Sequence, residues 1–207
     1  MTSAARTGLI VFAKAPVPGQ VKTRLMPALG AAGAADIAAR LLAHAVAAGM
    51  AAAFDVMDLC TAPDASHPAF ASLAVQHPSL ELTVQGEGDL GARMHRALAR
   101  RLASCERVLL IGTDAPALDA AMLRAAAQAL GTHDAVFVPA HDGGYALVGL
   151  TSPQPLLFAG MTWSTPSVMA ETRERARHAG LRWAELPAVA DIDEPADLVH
   201  LPAGWQR

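Results

Sequence analysis

Glu106-Arg-Val-Leu-Leu-Ile-Gly-Thr-Asp-Ala-Pro-Ala-Leu118 is the stretch on which the reading of the fold turns. Arg107–Ile111 is a short, β-branched and leucine-rich run with a turn directly behind it, the signature of a buried strand. A continuous apolar run of this length, with no alternation, marks a strand covered on both faces, as in a parallel sheet. Working outward, helix and strand patterns alternate. Upstream we expect strands at Gly8–Phe12, Phe54–Cys60 and Glu81–Gln85, and helices at 33–52, 68–76 and 90–103. Arg93, Arg96, Arg100 and Arg101 are placed on the outer side of that last helix. Downstream follow a helix at 119–130 capped by Asp119 and strands at Asp134–Pro139 and Tyr145–Leu150. A helix at 165–179 has Pro166 in its first turn, and a late strand at Leu181–Leu186 and a short helix at Pro195–His200 complete the chain. Interleaved strands and helices imply a mostly parallel sheet covered on both faces, with an antiparallel edge where a Gly-Gly turn joins 134–139 to 145–150. No repeat or linker divides residues 1–207, so one domain is expected.

Composition sets the limits. The 207 residues are 53% hydrophobic and 17% charged, which suits a packed domain and excludes disorder. A net charge of −3 and a sequence pI near 6.2, with no basic stripe, argue against nucleic acid as a partner. Two cysteines, Cys60 and Cys105, suit buried thiols better than a disulfide framework or zinc cluster. The apolar run near the N-terminus is too short for a signal peptide. The alanine-rich stretch 31–53 carries Asp36, Arg40 and His44 at i, i+4 spacing, a polar stripe that argues against a membrane span. A cytoplasmic protein is therefore expected, and the sequence leaves a homodimer open.

Ligands of such sheets bind beyond the carboxyl ends of the strands, so the loops there are the ones to read. Of 16 basic residues only Lys14 and Lys22 are lysines, and both fall in the loop Lys14-Ala-Pro-Val-Pro-Gly-Gln-Val-Lys-Thr-Arg24. Two lysines, Arg24 and a glycine at a strand's end make a phosphate-binding composition, although not a Walker A loop. Asp114, in Gly112-Thr113-Asp114-Ala115-Pro116, is placed to hold a divalent ion, which typically takes one or two carboxylates and fills its shell with phosphate oxygens and water. Asp142, in His141-Asp142-Gly143-Gly144-Tyr145, could orient a substrate or act as a base. Asp191 and Asp193 project to one side of an extended segment, and either could be a second metal ligand. Glu194 and Asp197 are read as first-turn helix acids. Trp163 is read as a core or lid residue, or as a stacking platform. Gly86-Glu-Gly-Asp-Leu-Gly91 fits G-x-G-x-x-G, the dinucleotide fingerprint, which keeps an NAD(P)-binding oxidoreductase as a lesser alternative. Against it, Glu87 and Asp89 would face the cofactor's pyrophosphate, and the unit is the third strand–helix pair, not the first.

Together, FAKAPVPGQVKTRL, GEGDLGARM, LLIGTDAPAL, DAVFVPAHDGGYALVGL, WSTPSV and DIDEPADL resemble a bacterial family of GT-A-type, nucleotide-diphospho-sugar-transferase-like proteins. Members are labelled arsenosugar-biosynthesis-type glycosyltransferases, and the 2-phospholactate guanylyltransferases and molybdopterin nucleotidyltransferases are more distant relatives. The resemblance spans about residues 8–198. It implies a three-layer α/β sandwich with a mixed, mostly parallel sheet, and a transferase of a nucleotide-activated group that uses Mg²⁺ or Mn²⁺. A glycosyltransferase taking a nucleotide sugar and a small-molecule acceptor is favoured. A nucleotidyltransferase joining an NTP to a phosphorylated acceptor is the alternative. By the same resemblance Lys14, Lys22, Thr23 and Arg24 grip the nucleotide's phosphates, and Gly88, Asp89 and Leu90 contact base or ribose. Asp114 with Asp193, or Asp191, holds the metal. Lys22, Asp114 and Asp142 are the residues closest to the chemistry. The loop departs from the G-x-G-T-R signature of the nucleotidyltransferases, with lysine and proline where those enzymes have glycines, and the D-x-D of many glycosyltransferases is reduced to Thr113-Asp114-Ala115.

Overall fold

A computed structural model describes residues 5–205. The first four and last two residues of the expected domain lie outside them. Seven strands form one sheet: β1 (Thr7–Lys14), β2 (Val56–Ala62), β3 (Leu80–Val84), β4 (Arg107–Ile111), β5 (Ala135–Pro139), β6 (Tyr145–Leu150) and β7 (Trp183–Glu185). Their order is β3-β2-β1-β4-β6-β5-β7. β1 pairs in parallel with both β2 and β4, while β6 is antiparallel to both β4 and β5. The antiparallel strand expected at an edge is therefore interior. β7 closes the far side, parallel to β5.

Alternate residues of the central strands serve opposite faces. Leu9, Val11 and Ala13 of β1, with Leu109 and Ile111 of β4, join the core beneath α1 (Met26–Ala52), α2 (Pro68–Gln76) and α4 (Ala120–Ala129). Ile10, Val108 and Leu110 join the core beneath α3 (Leu90–Leu102) and α5 (Val168–His178). Burial on both faces is why the strand runs do not alternate in hydropathy. The result is the expected mixed three-layer sandwich. A third cluster, in which Ile192 and Leu201 meet Leu25, Ala34, Ile37 and Leu41, ties the end of the chain to the start of α1.

Several boundaries depart from expectation. α1 begins at Met26, not 33, with a kink at Gly30. On length and composition α1 could cross a membrane. Its apolar face is instead spent on the sheet, and the Asp36–Arg40 pair (2.9 Å) lies on its outer side. β2 runs two residues further than Cys60, and β7 is shorter than Leu181–Leu186. α5 starts at Val168, because Ser164 takes a left-handed conformation (φ 61) and Pro166 packs its carbonyl on Gly143. The terminal turn Pro195–His200 is 3₁₀ and carries a reciprocal Glu194–Asp197 capping box. Cys60 and Cys105 are buried and unpaired. The arginines of α3 do not all face outward: Arg101 is buried, and with Arg100 it grips the fully buried Asp58 of β2.

Candidate active site

The loops after the strands surround a 930 Å³ cavity at the sheet's carboxyl edge, over the point where β1 and β4 diverge. This is where open α/β sheets leave a crevice, because the connections on either side run away from each other. At its centre, Lys22 Nζ lies 2.6 Å from Asp114 Oδ1 and 2.8 Å from Asp193 Oδ1. The lysine is the buried member, 7% exposed, whereas the acids are 47% and 42% exposed. Burial alone would disfavour the ammonium. Asp114 and then Asp193 outweigh that, so the Lys22 pKa is held above its ordinary value.

Each member of this triad is placed by local structure. Lys22 adopts φ 47, a left-handed conformation that ends the loop and begins a 3₁₀ turn at Thr23–Leu25. Leu25 is fully buried in the third cluster and anchors that turn. Asp114 follows β4, where the backbone N–H of Ile192 donates to its carbonyl (2.8 Å). Ile192 is itself fully buried, so the Asp191–Asp193 segment is pinned beside Asp114 by an apolar anchor and one backbone bond. Asp193 N–H in turn donates to the Asp197 carboxylate (3.0 Å).

The remaining expected residues take varied positions. Lys14 lines the cavity, but its ammonium donates to the Gln20 carbonyl (2.9 Å) and braces its own loop. Thr23 and Arg24 line the same wall. Arg24 makes an exposed 3.5 Å pair with Glu194, a contact of little energetic weight. Gly88 and Leu90 line the cavity. Asp89 accepts from Ala92 N–H (2.8 Å), so its carboxylate serves as the N-cap of α3. Asp142 lines the opposite side, one oxygen taken by Gly144 N–H (2.8 Å). Asp191 lies near it. Burial, followed by the charges of Asp142 and Asp193, pushes the Asp191 carboxyl above the ordinary range.

In the G-x-G-x-x-G match, Gly86 and Gly88 take positive φ (75 and 105), and Gly91 answers a packing demand. A Cβ on Gly91 would stand 2.5 Å from the Phe158 carbonyl and 2.8 Å from Trp163 Nε1, so this glycine lets α3 approach the segment before α5. Arg96 donates to the Gln85 and Glu87 carbonyls (2.7 Å each), closing the loop from beneath. A second close approach couples two cavity walls. A Cβ on Gly143 would fall 2.1 Å from the Pro166 carbonyl, and Met169 N–H donates to Gly143 O (2.8 Å).

Sequence reading missed Gln85 and Arg93. Gln85 is buried at the cavity wall, its amide donating to the Ala13 (3.0 Å) and Cys60 (3.2 Å) carbonyls and accepting from Arg93 (2.8 Å). Both residues are ordinary in the sequence, and only the meeting of β1, β2, β3 and α3 gives them a place. Among the described residues no group of three or more His, Cys, Asp or Glu is arranged to hold a metal. Two carboxylates do converge on one cation, however, which fits Mg²⁺ or Mn²⁺ bound mainly through substrate phosphates and water.

Residues 45–165 match the family described as "Uncharacterized protein conserved in bacteria (DUF2064)". No curated protein sequence matches the chain. Among solved structures, a protein from Desulfovibrio desulfuricans G20 assigned as a nucleotide-diphospho-sugar transferase superposes with a TM-score of 0.86 at 28% identity, covering 99% of this chain and 91% of that one. Rv0371c of Mycobacterium tuberculosis H37Rv, in a structure described as its manganese complex, gives 0.57 at 18% identity over 96% and 98%. CMP:2-keto-3-deoxy-manno-octonic acid synthetase complexed with CTP gives 0.58 at 10% over 95% and 96%. At these low identities the last two show the shared fold alone.

Proposed function

The chain belongs to the DUF2064 family, and on that premise we propose that it is a metal-dependent transferase of a nucleotide-activated group, namely a glycosyltransferase drawing on a nucleotide sugar. The observation that carries this reading is the Lys22–Asp114–Asp193 triad at the cavity's centre. It sets a buried cation against two half-exposed acids, each with lone pairs left for a ligand. In this reading Asp114 and Asp193 hold Mg²⁺ or Mn²⁺, and the Asp191 carboxylate stays free beside Asp142. The ion, when bound, supplies the positive charge that stabilises a departing diphosphate. Lys22 then turns its ammonium to the phosphates, joined by Lys14, Arg24 and the Thr23 hydroxyl. Gly88 and Leu90 border the base and ribose, and Asp89 fixes their loop by capping α3. Asp142 faces the acceptor.

The likeness in fold to a CTP-complexed synthetase favours nucleotidyl transfer as the second reading. The two part on products. With pooled nucleotide sugars the first reading releases nucleoside diphosphate, whereas with pooled NTPs and sugar phosphates the second releases pyrophosphate. The test of the class as a whole is a thermal-shift screen of nucleotides and nucleotide sugars with and without Mn²⁺. Metal-dependent stabilisation that disappears in Lys22→Ala and Asp114→Ala is expected. No stabilisation by any nucleotide would sink the reading.

A further inference from the structure

The cavity is polarised. Among the described residues its four lining cations, Lys14, Lys22, Arg24 and Arg93, all stand at the end of β1, in the segment after it or on α3. The other half is built by the hairpin between β5 and β6, the segment before α5 and the stretch after β7. There the charged lining residues beyond the central triad are Asp142 and Asp191, close enough that each charge opposes the other. The same half holds Tyr145, whose ring stands edge-on to Trp163 at 6.3 Å. The Tyr145 side chain is half-buried at the cavity wall, and among the described residues its hydroxyl makes no hydrogen bond, so it is open to a ligand. Beside it the buried Trp163 Nε1 has no hydrogen-bond partner, and a buried N–H left unpaired costs stability.

We infer that this half takes an uncharged polyhydroxyl acceptor, a sugar or sugar alcohol without phosphate, seated between the Tyr145–Trp163 pair and the carboxylates of Asp142 and Asp191. Aromatic faces suit the apolar C–H surface of a sugar ring, and carboxylates accept hydrogen bonds from its hydroxyls. A phosphorylated acceptor would meet two carboxylates and no cation beyond the central triad, a like-charge arrangement that costs affinity in a partly desolvated site. The inference rests on the glycosyltransferase reading and names its acceptor class. The acceptor oxygen bonds to the donor's anomeric carbon as the bond from that carbon to the diphosphate breaks. The nucleoside diphosphate leaves with the electron pair, and the hydroxyl proton passes to the Asp142 carboxylate.

The test keeps the two claims apart. Calorimetry with Mg²⁺ first establishes which of ADP, CDP, GDP and UDP binds the full chain most tightly. The protein saturated with that nucleotide then receives glucose, mannose and glycerol against their monophosphates, followed by saturation-transfer NMR. The neutral member of each pair is expected to dominate by about tenfold. Its signal should fall several-fold in Asp142→Asn and in Tyr145→Phe, with melting temperature confirming that both variants fold. Equal transfer, preference for the phosphates, or no transfer to any probe overturns the inference while leaving nucleotide binding in place. Failure of all four nucleotides to bind overturns the underlying reading, and the inference with it.

Discussion

Two ion clusters in this molecule use the same side chains to opposite ends. In the first, Asp58 is fully buried with both oxygens held: Thr83 donates to one (2.6 Å), and Arg100 (2.9 Å) and Arg101 (3.4 Å) reach the other. Arg101 also pairs with Glu81. In the second, the buried partner is a single lysine, and its two acids remain almost half exposed at the cavity mouth. A buried carboxylate needs partners on its oxygens before the chain closes over it, and Asp58, wholly inside the fold, lies where no ligand reaches it. The second leaves carboxylate oxygens facing solvent, where a metal or a phosphate can compete for them. The accessible cluster is therefore the one that the proposed reading assigns to the ligand.

The largest effect expected from breaking this contrast is Asp58→Ala. It strands two arginines beneath α3, and a loss of about 3–5 kcal/mol in denaturant unfolding is expected, since removing one partner of a buried pair leaves uncompensated charge. Nucleotide affinity in whatever fraction folds should be unchanged. A large affinity loss at full stability would erase the distinction between the clusters.

Lys22→Met reverses the pattern. Methionine fills the buried space, so unfolding free energy should move by no more than about 1 kcal/mol, as for partly exposed ion pairs. Nucleotide affinity by calorimetry should fall about 100-fold, equivalent to about 2.7 kcal/mol. Asp114→Asn and Asp193→Asn should each leave the melting temperature nearly unchanged and abolish the gain in affinity that Mn²⁺ confers.

The smallest expected effect lies in alkaline solution. The folded pKa of Lys22 is raised, so the stability from its pairing is complete below the unfolded value of about 10.4 and is lost as pH rises through the folded one. Burial also raises Tyr145, which titrates in the same direction, so the comparison is made in a Tyr145→Phe background. There, stability measured above about pH 10.4 should decline less steeply when Lys22 is also methionine. Identical slopes would mean that the triad carries no linked ionisation.

The contrast also marks what pattern reading could reach. Lys14 and Lys22 stood out because the chain has no other lysine, and Asp114 because it follows the strongest strand. Asp58 gave no such sign: one aspartate inside the apolar run Val56–Cys60 reads as an interruption. Arg100 and Arg101 read as solvent-facing because helical periodicity says which residues share a side, not what stands opposite. Asp89 shows the same limit from the other direction. The family resemblance gave it to base or ribose, yet its carboxylate serves as the N-cap of the helix behind it.

Apolar runs, turn residues and caps are local properties, so the sequence by itself determined the alternation of strand and helix, most element positions, the Asp119 cap and the loops that line the cavity, whereas Glu194 and Asp197, read as first-turn acids, became a capping box only in the structure. Strand order, the interior antiparallel β6, and the meeting of Lys22 with acids 92 and 171 positions further along are long-range matters. They were decided by which apolar faces could be buried together. Ile192 had to find the cluster at the head of α1, and in doing so it carried Asp193 to Asp114.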